Sequence, residues 1–344
     1  MKAAPALGCL LACLMAACPT GAAEVRPGGA LDLEIGGDVK FYQAFGQLRE
    51  RTGERGGSMD LVSDATVLFH AVGEDEASRL RYGAIIELRG STAAVDNGDK
   101  TFVFLDSLWG ELRLGDDDTV QVSWSAGADS IAVASGGLDG DIVDSPDLVF
   151  LGAADTDGTR LAYYSPSFNG LSFGGSLTPH LGDLGQSIGS TDSGDVDDLL
   201  EAAIRYEGSI ADLDLEAMVG GLTGHLNAGQ GRRSVRGLIA GLRLEHGDLE
   251  LAGAAAAERV GGTVRHFYNV GAAIGHGAFA YSISFGQCLD CDEQRDRNLV
   301  LGAEVGIIEG VSLGLELSWL DPGPDAETDT RRSFIGLLGL RLEF

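Results

Sequence analysis

What this chain most lacks is a long apolar run. Past residue 23 the nearest approach is 251–257, seven residues and mostly alanine, far short of the roughly 20 that a helix needs to cross a bilayer. Cysteine is scarce as well. Of five, Cys9, Cys13 and Cys18 lie near the start, which leaves Cys288 and Cys291 in a C-x-x-C spacing. No second ligand pair accompanies them, as zinc would need, and no βαβ context surrounds them, as a thioredoxin-like redox pair would need. In an oxidising compartment the simplest expectation is a Cys288–Cys291 disulfide. Basic residues are outnumbered, 24 Lys and Arg against 52 Asp and Glu, for a net charge of −28. That balance excludes duplex nucleic acid and anionic surfaces as natural partners. It fits a strongly solvated surface or a water-filled path whose field favours cations. The six histidines fall at no ligand spacing, and neither H-E-x-x-H nor G-x-S-x-G occurs, so no catalytic residues are expected and an enzyme is not the reading.

The chain does have a leader. Met1-Lys2 gives a basic start, 6–17 is apolar, and Gly21-Ala22-Ala23 places small residues ahead of Glu24. Residues 1–23 therefore read as a signal peptide and 24–344 as one exported domain. Met15-Ala16-Ala17-Cys18 is a rival, lipoprotein-like box. Lys2 is the only charged residue of the leader, so the exported part is one unit more negative than the whole.

Beyond the leader, 52 glycines and only 8 prolines dilute a hydrophobic content of 44%. Apolar residues recur at alternate positions in runs of about ten, the pattern of strands that face apolar surroundings on one side only. In 311–319 the odd positions are Val, Leu, Leu, Leu and Trp, and the even ones are Ser, Gly, Glu and Ser. The final residues alternate Leu340, Leu342 and Phe344 with Arg341 and Glu343. About sixteen such runs are expected, an even number that permits antiparallel closure. They include one run over 101–115 and a short one over 118–123. Short turns alternate with longer polar loops, among them 48–58, 91–100, 179–198, 223–233, 288–296 and 321–330. The fold class expected is all-β, a transmembrane antiparallel β-barrel of about 16 strands. A secreted or surface β-protein that hides its apolar faces in a soluble core would alternate too.

The third long loop, 124–158, carries Asp129, Asp139, Asp141, Asp144, Asp147, Asp155 and Asp157 and no Lys or Arg. Interleaved residues such as Ile131, Val133, Leu148 and Phe150 suggest that it packs against something. Asp155-Thr156-Asp157-Gly158 begins like a calcium loop, but Pro166 stands where an EF-hand needs its last carboxylate. No cofactor is expected; Ca²⁺ could be held only by acidic clusters such as 116–118 and 195–198.

Two segments resemble the Gram-negative general porins: Leu108-Trp109-Gly110-Glu111-Leu112-Arg113-Leu114-Gly115 before the third loop, and Tyr163-Tyr164-Ser165-Pro166-Ser167-Phe168-Asn169-Gly170-Leu171-Ser172-Phe173-Gly174 after it. The terminal Phe344 is similar to that family's C-terminal aromatic. The resemblance implies a sixteen-stranded outer-membrane barrel, usually a homotrimer, in contact with lipid and lipopolysaccharide. It implies a third loop folded inward and passive diffusion of small hydrophilic solutes and ions. It further implies loop acids facing a basic wall across the pore constriction. The acids would be drawn from Asp139, Asp141, Asp144 and Asp147. Strand parity offers Arg113, Arg160, Arg205, Arg243 and Arg265 for the wall, or else for simple wall salt bridges such as Arg113 with Glu111 and Arg243 with Glu245. The charge suggests a mild cation preference. A substrate-specific channel on the same barrel stays open as an alternative.

Overall fold

The computed structural model describes residues 23–25, 31–46, 59–91, 98–136, 158–181, 196–228, 231–291, 294–321 and 333–344. Seventeen strands run through them. The first nine are β1 Ala23–Val25, β2 Asp32–Gly46, β3 Met59–Asp75, β4 Leu80–Ser91, β5 Gly98–Ser107, β6 Gly110–Asp117, β7 Gly158–Tyr164, β8 Leu171–Leu181 and β9 Val196–Ile210. The rest are β10 Leu213–Ala228, β11 Gly231–His246, β12 Leu249–Val260, β13 Thr263–His276, β14 Phe279–Cys291, β15 Gln294–Ile308, β16 Val311–Asp321 and β17 Ser333–Glu343.

From β2 onward each strand pairs antiparallel with its chain neighbours, and β17 pairs with β2. The result is a closed barrel of sixteen strands. Closure matters because lipid offers no water to backbone N–H and C=O groups, and each one left unpaired costs several kcal/mol there. The seam is finished by Phe344 and Gly37, which exchange two backbone hydrogen bonds of 3.0 Å. Just beyond them β1 takes over the same edge of β2, pairing Ala23 with Ile35 and Val25 with Leu33.

Polarity runs opposite to that of a soluble domain. Along β9, Leu200 and Ile204 are 53% and 58% exposed, while Glu201 between them is 1% exposed. The same inversion recurs around the barrel, with Val103, Leu171, Val219, Leu238, Val270, Leu301 and Leu338 among the exposed apolar residues. A closed sheet with a continuous apolar outer face is made for lipid, which rules out the soluble β-protein. Toward the loop end the inner face also buries an apolar cluster of Tyr42, Val62, Val300, Leu320, Ile335 and Leu337.

All connections at one end are short: 76–79, 108–109, 165–170, 211–212, 247–248, 277–278 and 309–310. The other end carries the long ones. Two connections expected to be long are tight instead, because the ladders continue to Ala228↔Gly231 and Cys291↔Gln294. The polar residues there extend strands past the apolar band. Cys288 therefore lies in β14 rather than in a loop, opposite Phe267 and Asp296. It is fully buried and disulfide-bonded, while the Cys291 side chain falls outside the described ones.

The expected strand count survives through two errors that cancel. The run 101–115 is two strands, β5 and β6, turning at Leu108-Trp109. This turn contains no Asn, Asp or Pro to announce it. Gly110 at φ +112° takes a backbone conformation that other residues rarely adopt, and Tyr163 Oη donates to the Trp109 carbonyl. Apolar turn residues are tolerated because Trp109 and Leu108 sit at a membrane-facing rim. Conversely, 118–123 is no strand. Thr119 Oγ1 accepts from Val122 N at 3.2 Å and caps a short helix, α1, Val120–Ser123.

Candidate functional site

The described part of the third loop, 118–136, is built to lie along a wall. After α1 the chain forms a 3-10 turn, Ala128–Ile131. Each successive residue then meets a strand further around the barrel, on the face opposite the exposed apolar band. A Cβ built on Gly174 of β8 would lie 2.8 Å from Val120, and one on Gly220 of β10 would lie 2.9 Å from Gln121. Gly241 of β11 meets Ala126 at 3.3 Å and Gly271 of β13 meets Ala128 at 3.0 Å. Gly302 of β15 meets the Val133 carbonyl at 2.8 Å, and Gly314 of β16 meets Ala134 at 3.0 Å. Loop number rises with strand number, so this segment follows the wall as a belt from β8 to β16. Glycine in a strand interior often marks a close approach; here Gly241, Gly302 and Gly314 meet the loop backbone, and Gly174, Gly220 and Gly271 meet its side chains.

Polar latches fix the belt where glycines give it room. Ser123 Oγ is 3.2 Å from Tyr164 Oη, and Trp124 packs edge-on against the Tyr164 ring at 5.5 Å. Gln121 Nε2 donates to Glu201 at 3.3 Å, and Ser176 and Thr119 also hydrogen-bond that buried carboxylate. Asn269, buried on β13, is a second many-partnered latch. Its Oδ1 accepts from Ala128 N at 3.0 Å and from Ala254 N at 2.8 Å, and its Nδ2 donates to Asp129 at 3.3 Å. Further on, Val133 N donates to Ser282 Oγ at 3.1 Å. Asp129 also accepts from Ser125 Oγ at 2.7 Å. Burial raises the Asp129 carboxyl above the ordinary aspartate range, and the Ser125 and Asn269 hydrogen bonds offset only part of that rise.

Strands β2 to β7 present a different inner surface. Lys40 lies 3.4 Å from Asp38 and 3.7 Å from Asp64, and Arg89 lies 3.5 Å from Asp64. Lys100 pairs with Asp118 at 2.6 Å. Arg113 is clamped between Glu111 at 2.5 Å and Asp117 at 3.1 Å. Its guanidinium also stands 5.1 Å from the Phe102 ring centre and 4.6 Å from that of Tyr164, within cation–π range. Arg160 is buried, donating to the Gly158 carbonyl at 3.0 Å and attracting Glu201.

The other three arginines sit apart from these. Arg205 pairs with Glu216 and Glu207, each at 2.7 Å, and Arg243 with Glu250 at 2.6 Å and Glu245 at 3.9 Å, all toward the short-turn end. Arg265 stands opposite Glu258 on β12. Asp139, Asp141, Asp144 and Asp147 lie outside the described residues. Of the acidic clusters weighed for Ca²⁺, Asp117 and Asp118 are engaged by Arg113 and Lys100, and Asp198 by Arg232. Among the described residues no three His, Cys, Asp or Glu side chains gather to hold a metal. Sequence reasoning missed Asn269, Glu201, Ser282 and the glycines. Some of the glycines did carry a signal: Gly174, Gly302 and Gly314 fall on the polar face of their strands, whereas Gly220 shares its face with Met218 and Leu222, and Gly241 shares its face with Val235 and Ile239.

No curated protein sequence matches the chain. Solved structures do. The anion-selective porin from Comamonas acidovorans superposes with a TM-score of 0.67 at 17% identity, covering 91% of this chain and 100% of that one. The outer membrane channel DcaP of Acinetobacter baumannii gives 0.70 at 10% identity, covering 94% and 100%. OmpT of Vibrio cholerae in its trimer form gives 0.63 at 13%, covering 92% and 100%. At such identities the likeness is one of fold. The family model described as Gram-negative porin matches residues 10–336, so the chain belongs to the Gram-negative porin family, the channel proteins of the bacterial outer membrane.

Proposed function

We propose that this porin is a passive diffusion channel for small hydrophilic solutes and ions, with the third loop as its constriction and a mild preference for cations. The observation that carries the reading is the seating of residues 120–134 along one side of the inner wall. A loop held flat on glycines narrows a lumen without plugging it, and the facing wall supplies charge of both signs. Lumen charges of this kind orient dipolar solutes and penalise apolar ones.

Cation preference is supported by the balance of the inner wall. Lys40, Arg89, Lys100, Arg113, Arg205 and Arg243 all have a carboxylate within 4 Å, so these inner-wall bases are neutralised in a chain of net charge −28. A homotrimer is the assembly proposed, in keeping with the trimer form of the Vibrio cholerae structure. Planar-bilayer conductance under a salt gradient tests the whole reading. Discrete steps in groups of three with a cation-favouring reversal potential are expected. A silent bilayer from folded protein would refute the channel, and an anion-favouring potential would refute the selectivity.

A further inference from the structure

We infer that Arg236 and Arg259 form a binding site on the barrel's outer surface for the phosphate of an outer-leaflet lipid headgroup. The two residues stand directly opposite each other on β11 and β12. Residues so placed hold their Cβ atoms about 4.5–5.5 Å apart, and like charges there repel. Both side chains are exposed, and neither makes an ion pair or hydrogen bond with a described residue. This is unusual company in an acid-rich chain where Lys40, Arg89, Lys100, Arg113, Arg205 and Arg243 of the inner wall are paired with carboxylates. Four residues before Arg236 on the same face of β11, Arg232 has found Asp198, so acids do reach this rim.

Position defines the ligand. Arg236 and Arg259 share the outward face with exposed Leu238, one step above the apolar band and toward the loop end, where headgroups of the outer leaflet lie. His266, also exposed, stands one step away opposite Ala257. Below the pair the surface is a furrow of Ala240, Ala255 and Ala257, with Leu238 opposite Ala257 and Tyr268 opposite Ala255. Two guanidiniums match the oxygens of one phosphate and relieve their own repulsion on binding it. The furrow beneath accepts an acyl chain. A free anion would use only the upper half of this arrangement, so the lipid is the occupant assigned. The inference needs the membrane-facing outer surface and not the channel activity, so either can fail without the other.

The test is equilibrium binding of labelled phosphatidic acid, which carries a phosphomonoester, against phosphatidylcholine with the same chains. It uses the full chain in a neutral detergent. Wild-type protein is expected to prefer phosphatidic acid by on the order of tenfold, from two charge-assisted contacts. Arg236→Gln with Arg259→Gln should bind both lipids equally. Arg259→Glu, which places an acid opposite Arg236 and should settle the ladder, must lose the preference as well. Both variants are expected to keep wild-type conductance and heat resistance. Equal binding of the two lipids by the wild type, or an undiminished preference in either variant, overturns the site. Displacement of the lipid by inorganic phosphate at equal concentration overturns its assignment to a lipid.

Discussion

At the level of the third loop the two sides of the inner wall are built from opposite materials. From β8 to β16 the wall offers glycine at six contacts with the belt, packs Met218, Ile239 and Ala254 around Val120 and Trp124, and carries a few neutral or buried polar latches. From β2 to β7 it holds Lys40, Arg89, Lys100, Arg113 and Arg160, most of them clamped to carboxylates. The difference shows how a barrel made of one repeating element acquires an asymmetric interior. One side gives up side-chain volume to seat a loop, and the other keeps volume and charge to face it.

Filling the glycine side should give the largest effect. Gly302→Leu would drive a side chain into the Val133 carbonyl, 2.8 Å from where its Cβ must sit. Overpacking of this kind costs about 1–3 kcal/mol. Since nothing on β15 can retreat without breaking the ladder, the belt should lift away. Single-channel conductance should change well beyond its spread while the barrel stays heat-resistant; an unchanged conductance would mean that the belt does not border the path.

Asn269→Ala comes next. It strips the partner from two backbone N–H groups, Ala128 and Ala254, and a buried donor left unpaired costs about 1–3 kcal/mol. Hydrogen exchange should accelerate at Ala128 by roughly tenfold per 1.4 kcal/mol lost, and Asn269→Asp should restore the acceptor but repel Asp129. Equal exchange in wild type and Asn269→Ala would remove Asn269 from the set of latches.

On the charged side, Arg113→Gln is expected to act on selectivity more than on structure. It leaves Glu111 and Asp117 without their shared cation, so the reversal potential should shift toward cations. An unchanged reversal potential would place Arg113 outside the conducting path.

The smallest effect concerns Asp129. Its folded-state pKa is raised by burial, so the seated belt binds the proton more tightly than the free loop. Stability of the seat should therefore fall as pH rises from the ordinary aspartate value through the raised one, and hold at its highest below both. Exchange at Ala128, corrected for intrinsic rate, should show this trend in the wild type and lose it in Asp129→Asn. A slope of the opposite sign would contradict the burial argument.

Much of this was legible in the residues. Alternation in segments such as 311–319 encodes both the strand and its lipid-facing side, because a period of two is forced by backbone geometry. The closing aromatic, Phe344, does lie at the barrel seam. The hairpin at Leu108-Trp109 was not legible, because a turn at a membrane rim need not be polar. Nor was α1, since Val120-Gln121-Val122-Ser123 alternates like a strand and only the Thr119 cap, with burial against β8 and β9, decides for helix. The arginines could be placed by parity, yet their partners depend on which strand lies next door. Asn269 lies about 140 residues from its loop partners, a pairing that only the closed barrel makes.

The most direct measurement traps the belt on its seat. Ala126→Cys with Gly241→Cys places two Cβ atoms about 3.4 Å apart, close to the separation a disulfide requires. Oxidation should link them readily in the folded protein, and on the proposed reading of the belt as an open constriction the linked channel should conduct as the wild type does. Failure to link would place the belt elsewhere, and loss of conductance on linking would mean that the seated belt closes the pore.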